Sequence, residues 1–169
     1  VCADVGYDNK PISCWFASFL PDLNYSNAAA REAVVDMAVD WVKKTGADGF
    51  RFDAVKHLEM QFIEDIRARM KAEFEKTGVP FYIVGETFSG DAGLIASFVG
   101  PARIQGQFDF PTNAHVLTAL ARGEEGLDTM DAEVRKAKAT YGDAAIMSNF
   151  VGNHDMARFL SHAAGAGGM

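Results

Sequence analysis

The stretch GFRFDAVKH, residues 49–57, places four chemically active side chains at the end of a short buried strand, predicted over ADGFRFDAV, residues 47–55. Arg51 and Asp53 are two residues apart, and side chains alternate along a strand, so both are expected on one face. An arginine beside an aspartate keeps the carboxylate ionised, which a nucleophile requires. The stretch therefore predicts a reactive carboxylate at the end of a buried strand, although such a pair is more often purely structural.

Helices and strands alternate on both sides of this stretch. A first helix is predicted within LNYSNAAAREAVVDMAVDWVKKTGADG, residues 23–49, and further helices over 57–78, about 112–122 and about 128–140. The first has Ser26 or Asn27 as its N-cap and Gly46 at its end. Its predicted core-facing stripe is Val34, Val35, Ala38, Trp41 and Val42, and that of the second helix is Phe62, Ile63, Ile66, Met70 and Phe74.

Three further strands are predicted along the chain. The apolar run PFYIVGET, residues 80–87, indicates a strand covered on both faces. A weaker strand is expected in GQFDF, residues 106–110, and a fourth with a loop in AAIMSNFVGNHD, residues 144–155. Such alternation predicts an α/β fold with a parallel sheet, whose active site lies at the carboxyl ends of the strands.

Acidic residues follow three of these strands, namely Asp53, Glu86 and Asp155. Two facing carboxyl groups suit glycosidic bond cleavage, in which one attacks the sugar and the other protonates the leaving oxygen. Each signal alone has an ordinary alternative: a structural ion pair, a helix-entry glutamate or a polar turn. Three such residues on successive strand ends are much harder to attribute to chance.

The segments GFRFDAVKH, GETF and FVGNHD resemble, in order, three signature segments of the alpha-amylase superfamily of retaining glycoside hydrolases. LPDLNY, residues 20–25, resembles a fourth. The resemblance implies a partial TIM (β/α)8 barrel covering about strands four to seven. Residues 1–27 would be the end of an inserted domain, and residues 28–169 a partial catalytic barrel. The start at Val1 is expected to reflect a cut from a longer protein.

The resemblance also implies a role for each polar residue. Asp53 would be the nucleophile, Glu86 the general acid/base, and Asp155 the third carboxylate, which grips sugar hydroxyls. The substrate-binding residues would be Arg51, Lys56, His57 and His154.

A structural calcium ion is a further implication of the resemblance. Asp22 would supply a side-chain oxygen and His57 a backbone carbonyl, both hard donors that suit calcium. The alternative is that Asp22 only makes a turn after Pro21. Five aromatic residues near the motifs could stack on sugar rings, although most such residues belong to cores: Trp15, Phe16, Tyr25, Phe88 and Phe110.

The composition narrows the class of partner. Of 169 residues, 49% are hydrophobic, which excludes a disordered chain, and the net charge of −7 argues against a nucleic-acid partner. No apolar run is long enough to span a membrane. Cys2 and Cys14 form a disulfide or remain thiols, depending on the compartment, and a secreted or periplasmic location is expected.

The expected function is cleavage of internal α-1,4-glucosidic bonds in starch or a related α-glucan, with retention of configuration. The alternatives are a cyclodextrin- or maltodextrin-converting transglycosylase of the same superfamily, and an inactive fragment that binds glucan or assembles with a partner. The open edges of a half-barrel would favour self-association.

Overall fold

The structure is a computed structural model that describes residues 10–165. The described residues divide into two compact units, one formed by residues 10–86 with Pro101–Ile104 and the other by Thr87–Gly100 with residues 105–165. The division predicted between residues 27 and 28 stays a prediction.

The first unit contains two helices and two parallel strands. Its elements are α1 (Ala28–Thr45), β1 (Gly49–Phe52), a 3-10 turn (Val55–His57), α2 (Met60–Phe74) and β2 (Tyr82–Gly85). The strands pair in parallel, with Gly49 opposite Tyr82 and Phe52 opposite Gly85. A Cβ on Gly49 would lie 2.2 Å from the Tyr82 carbonyl oxygen, so the two strands approach this closely only because residue 49 is glycine.

Helix α1 lies within the predicted stretch, with Asn27 of the two proposed N-caps at its start and Gly46 at its end, but its buried face differs from the prediction. The Asn27 side chain accepts hydrogen bonds from the amides of residues 29 and 30, and Gly46 ends the helix with a φ of 71°. The buried residues are Val35, Val39 and Val42. The prediction that Trp41 faces the core is wrong: its side chain is 59% exposed.

Helix α2 begins at Met60, because residues 55–57 form a separate 3-10 turn instead of its first turn. Four of its predicted core residues are buried: Phe62, Ile63, Ile66 and Met70. Phe74 is only partly buried. The ring of Phe62 stacks on Tyr25, with centroids 4.1 Å apart, and so joins the helix to the segment before α1.

The two strands are less buried than predicted. In β1, Arg51 is exposed and the other three residues are half-buried. In β2, burial alternates, with Ile83 and Gly85 buried and Tyr82 and Val84 half-buried. The expected cover on both faces of β2 is therefore complete on the face of Ile83 and Gly85 and partial on the face of Tyr82 and Val84.

The second unit packs helices on short extended segments. Its elements are α3 (Ala92–Ser97), β3 (Gly106–Gln107), α4 (Phe110–Val116), a π-helical segment (Leu117–Arg122), α5 (Leu127–Tyr141) and α6 (Phe159–Gly165). Its core is formed by Ile95, Phe110, Ala137 and Tyr141. The two helices predicted here are confirmed, the first with a π-helical second half, whereas α3 and α6 were not predicted.

The predicted fourth strand is present only as short parallel pairing. The Ser148 amide donates to the Gln107 carbonyl, and the Asp109 amide donates to the Ser148 carbonyl. A single parallel bridge joins Phe108 to Ser148. The local direction of the chain is as expected, but residues 144–155 do not form a regular strand.

Three features bear on the other expectations. None of the described helices is long and apolar enough to cross a membrane. Cys14 is disulfide-bonded, and Cys2 lies outside the described residues. An apolar groove of about 320 Å³ lies beside β1, lined among others by Met37, Trp41 and Phe50. The expected self-association of the chain through open sheet edges stays a prediction.

Candidate active site

The predicted nucleophile lies directly after β1. The side chain of Asp53 is 76% exposed, so it is open to a ligand. Arg51 donates a hydrogen bond from Nη1 to Asp53 Oδ1, in the same-face arrangement that the i, i+2 spacing predicts. This contact is a salt bridge, so the ionised form of Asp53 has a fixed cation next to it.

Glu86 lies across the strand pair from Asp53. The partners Phe52 and Gly85 are the last residues of the two strands, so Asp53 and Glu86 each follow by one position. The Glu86 amide donates to the Phe52 carbonyl at 2.8 Å, and its own carbonyl accepts from the Val55 amide at 2.7 Å. Glu86 is 7% exposed, so the two carboxylates differ strongly in their access to water.

The residue between the nucleophile and the 3-10 turn has an unusual backbone conformation. Ala54 has a φ of 48°, and in the described part of the chain no other residue except glycine has a positive φ. A left-handed backbone costs about 1–2 kcal/mol for an alanine. In this conformation the Ala54 amide donates to Glu86 Oε2 at 3.0 Å. The strained peptide therefore fixes one oxygen of the predicted acid/base.

Lys56 and His57 lie in the 3-10 turn after Asp53. The His57 ring is partly buried, and its Nδ1 lies 2.9 Å from the Pro11 carbonyl oxygen. Because a carbonyl only accepts, Nδ1 must carry the proton. This bond ties the turn after β1 to the segment that precedes α1.

His154 and Asp155 belong to the second unit, whereas the other predicted catalytic and substrate-binding residues belong to the first, namely Arg51, Asp53, Lys56, His57 and Glu86. His154 Nε2 is 3.2 Å from Asp155 Oδ2, and both side chains are more than half exposed. The Asp155 amide donates to Asn153 Oδ1 at 2.9 Å, which closes a tight local turn. Both predicted sugar-binding groups are accessible to a ligand.

The residues predicted to hold calcium lie in a partly buried acidic setting. Burial raises the pKa of Asp22, the nearby Glu59 carboxylate raises it further, and His57 lowers it. Glu59 Oε2 is buried without a hydrogen-bond partner in the described residues, and its other oxygen accepts from the Ser26 amide. Oxygen donors of this kind fit a hard cation. However, no group of three or more His, Cys, Asp or Glu side chains within residues 10–163 is arranged to hold a metal.

The aromatic residues near the motifs divide into core and surface. Tyr25 and Phe110 are buried and cannot stack on a sugar ring. Trp15, Phe16 and Phe88 are exposed, and the Phe88 ring also packs against Phe110 at 4.8 Å. The structure thus leaves three of the five as candidate platforms.

Sequence reasoning missed a buried polar group in the second unit. Asp109 follows β3 and would have been found by the same strand-end rule that selected Asp53. It is 5% exposed, accepts from the Thr112 amide as the N-cap of α4, and accepts from the Tyr141 hydroxyl at 2.8 Å. No comparable signal marks Asn113, which is 1% exposed and donates to the Phe150 carbonyl.

Comparison with known proteins adds a family to this geometry. The model of the alpha-amylase catalytic domain matches residues 12–167. An alpha-amylase of Streptomyces lividans is 33% identical over 129 residues, covering 70% of this chain and 13% of the relative. A cyclomaltodextrin glucanotransferase of Niallia circulans is 27% identical over 146 residues, covering 85% of this chain and 20% of the relative.

A solved structure supports the same assignment. The alpha-amylase from Geobacillus thermoleovorans, complexed with acarbose, matches with a TM-score of 0.81 and 29% identity, over 93% of this chain and 34% of that one. The fold implied by these neighbours is a TIM barrel, and parallel strands with covering helices are consistent with a portion of it. The chain spans about a third or less of the length of these relatives. It belongs to the alpha-amylase catalytic-domain family.

Proposed function

We propose that the chain carries the catalytic carboxylates of a retaining glycosidase that cleaves internal α-1,4-glucosidic bonds of starch or a related glucan. The observation that carries this proposal is the register of β1 and β2, which sets Asp53 and Glu86 at matching positions on adjacent parallel strands. Neighbouring strands lie about 4.8 Å apart. That spacing is close to the separation of about 5–5.5 Å between carboxyl groups in retaining enzymes.

In the first step, an Asp53 oxygen attacks the anomeric carbon while Glu86 gives a proton to the leaving glycosidic oxygen. The glycosidic bond breaks and a covalent glycosyl ester on Asp53 forms. Glu86 then takes a proton from water, whose oxygen displaces Asp53 and restores the original configuration. Arg51 donates a hydrogen bond to Asp53 and places a cation beside it before the attack, and the Ala54 amide donates to one oxygen of Glu86, leaving the other available for proton transfer.

We also propose roles toward the substrate for the remaining residues, as the resemblance to the family implies them. Asp155 and His154 bind hydroxyl groups of the sugar in the cleavage subsite, and Lys56 and His57 bind the leaving-group side of the glucan. By the same resemblance, Asp155 also stabilises the transition state. We further infer that these residues belong to barrel strands four to seven.

Calcium is the metal that the acidic setting around Asp22 fits best. The Asp22 carboxylate and the His57 carbonyl would hold it, as part of a larger set of donors. The ion would be structural, joining the LPDLNY segment to the turn after β1. No catalytic step depends on it.

A second candidate function is transfer to a sugar hydroxyl instead of water. It is favoured by the match to the cyclomaltodextrin glucanotransferase, a relative whose name describes transfer. The glycosyl ester on Asp53 is common to both reactions, and only the acceptor differs. Chromatography of the products from soluble starch separates linear oligosaccharides from cyclic ones.

The proposal is tested by trapping the glycosyl ester on the full chain. A 2-deoxy-2-fluoroglucosyl fluoride should add one glycosyl group to the wild type, and peptide mapping should place it on Asp53. Asp53→Asn should take no label and should lose several orders of magnitude in starch hydrolysis. Asp48→Asn is the matched control, because Asp48 is an exposed aspartate at the opposite end of β1 and should behave as wild type.

Glu86→Gln gives an independent test of the acid. It should impair substrates with poor leaving groups far more than activated aryl glycosides, which need little protonation. Equal losses on both substrates would remove Glu86 from this role. A label on any residue other than Asp53 would remove Asp53 from the role of nucleophile. A wild type with neither label nor turnover would favour the non-catalytic alternative.

A further inference from the structure

One buried side chain of the second unit hydrogen-bonds directly to the loop that carries His154 and Asp155. Asn113 donates from Nδ2 to the carbonyl oxygen of Phe150 at 3.0 Å. Phe150 lies four residues before His154 and five before Asp155. The bond therefore fixes the point at which the chain leaves the core to form this loop, residues 150–155.

Within the loop, the other polar contacts are local. Asn153 accepts from the Asp155 amide, and His154 contacts Asp155, so these bonds orient neighbouring residues only relative to one another. In the described part of the chain, no other side chain outside the loop hydrogen-bonds to it. The Phe150 ring also packs edge-on against Phe110, with centroids 5.0 Å apart. A ring contact, however, restricts the position of the backbone less than a hydrogen bond to its carbonyl does.

Asn113 is itself held rigidly. It lies in α4, is 1% exposed, and its amide donates to the Asp109 carbonyl. Asp109 caps the same helix through the Thr112 amide and accepts from the Tyr141 hydroxyl, which anchors α4 to α5. Because this buried carboxamide has little freedom to move, the position of α4 determines the position of the Phe150 carbonyl.

We propose that Asn113 is a positioning residue for substrate binding: it sets where His154 and Asp155 stand in the cleavage subsite, without touching the sugar. The inference rests on the proposed roles of His154 and Asp155 in sugar binding. If Asn113 were purely structural, its replacement would destabilise the unit as a whole. The loop would then become no more mobile than the rest of the unit.

The test replaces Asn113 by leucine, which has a similar size but no donor, and by serine, which is too short to reach Phe150 and better tolerated if the leucine variant unfolds. The matched control is Gln107→Met. Gln107 is also fully buried in the second unit, and its side chain donates to a carbonyl, but that carbonyl belongs to Ile95, at 2.7 Å, and not to the loop. All three variants lose one buried carboxamide donor.

The first measurement is the backbone ¹⁵N order parameter of the loop amides in the full chain. In the wild type these should approach the rigid value of about 0.85, and in both Asn113 variants they should fall toward about 0.6, while α5 keeps its values. Gln107→Met should lower stability without this local change. Loop order parameters equal in the Asn113 variants and in Gln107→Met would overturn the proposal.

The second measurement is the dissociation constant for maltoheptaose by calorimetry, with Asp155→Asn as reference. The Asn113 variants should bind about tenfold more weakly, the upper range for losing one hydrogen bond, and Gln107→Met should bind as wild type. If Asp155→Asn leaves binding unchanged, the proposed function of Asp155 fails while the order parameters still report on Asn113. If Asp155→Asn weakens binding and the Asn113 variants do not, the positioning role is refuted.

Discussion

The buried ion pair between Arg67 and Glu75 gives a sharp prediction about how β2 is held in place. Arg67 Nη1 lies 2.7 Å from Glu75 Oε1, and the two side chains are only 9% and 13% exposed. The same carboxylate oxygen accepts from the Phe81 amide at 2.9 Å, one residue before β2 begins. Glu75 thus joins the end of α2 to the start of the strand that leads to Glu86.

Glu75→Gln keeps the shape of the side chain and removes its charge. Arg67 then remains buried without a counter-ion, and breaking a buried pair in this way costs about 3–5 kcal/mol. The matched control is Glu73→Gln, since Glu73 lies in the same helix and pairs with Lys43 at 3.5 Å on a more exposed surface. Exposed pairs contribute about 0–1 kcal/mol, so the control should unfold almost as wild type.

The pH dependence of unfolding adds a second readout. The hydrogen bond from Arg67 lowers the pKa of Glu75, opposed by burial and aided by the Phe81 amide. The contribution of Glu75 is therefore complete above its unfolded pKa of about 4.3, and it is lost as the pH falls toward the lower folded value. The free energy of unfolding, measured in urea, should differ less between pH 7 and pH 3.5 for Glu75→Gln than for wild type. The reasoning would be refuted if Glu75→Gln lowered the free energy of unfolding at pH 7 by less than about 1 kcal/mol and left its pH dependence unchanged.

Two further predictions concern the strand pair and the α4–α5 contact. Gly49→Ala places a Cβ 2.2 Å from the Tyr82 carbonyl oxygen and should destabilise the chain by about 1–3 kcal/mol in thermal unfolding, whereas Gly90→Ala, with open space around it, should have little effect. Tyr141→Phe removes one hydrogen bond to Asp109 and should cost about 1 kcal/mol. Burial and that bond raise the pKa of Tyr141, so wild-type stability should fall as the pH rises above about 10, and the phenylalanine variant should lose less there.

The helices were the best-predicted part of the fold, because their signals are local. Asn27 and Gly46 bound α1 through hydrogen bonds and a backbone angle that depend only on neighbouring residues. Which side of α1 faces the core is a tertiary property. The apolar stripe was wide enough to include both Trp41 and Val42, and only Val42 is buried.

Strand burial could not be predicted from the same patterns. A continuous apolar run such as residues 80–85 is compatible with one covered face or with two, since periodicity reports the sequence and not its neighbours. Residues 144–155 show the same limit, because one bridge at Ser148 satisfies the pairing that a whole strand was expected to make.

The same distinction applies to the site. Its reactive side chains could be predicted from their chemistry, whereas the backbone groups that hold them depend on packing and could not. Asp53 and Glu86 were predicted because carboxylates at strand ends are costly without a purpose. Nothing in the sequence marks Ala54, whose left-handed backbone would cost less as glycine. That strain persists because bonds on both sides fix it: Glu86 donates to the Phe52 carbonyl before it and accepts from the Val55 amide after it. The same β1–β2 pairing that holds the two carboxylates opposite one another thus forces the Ala54 amide onto Glu86, so the parallel register, more than any single residue, supplies the order of the site.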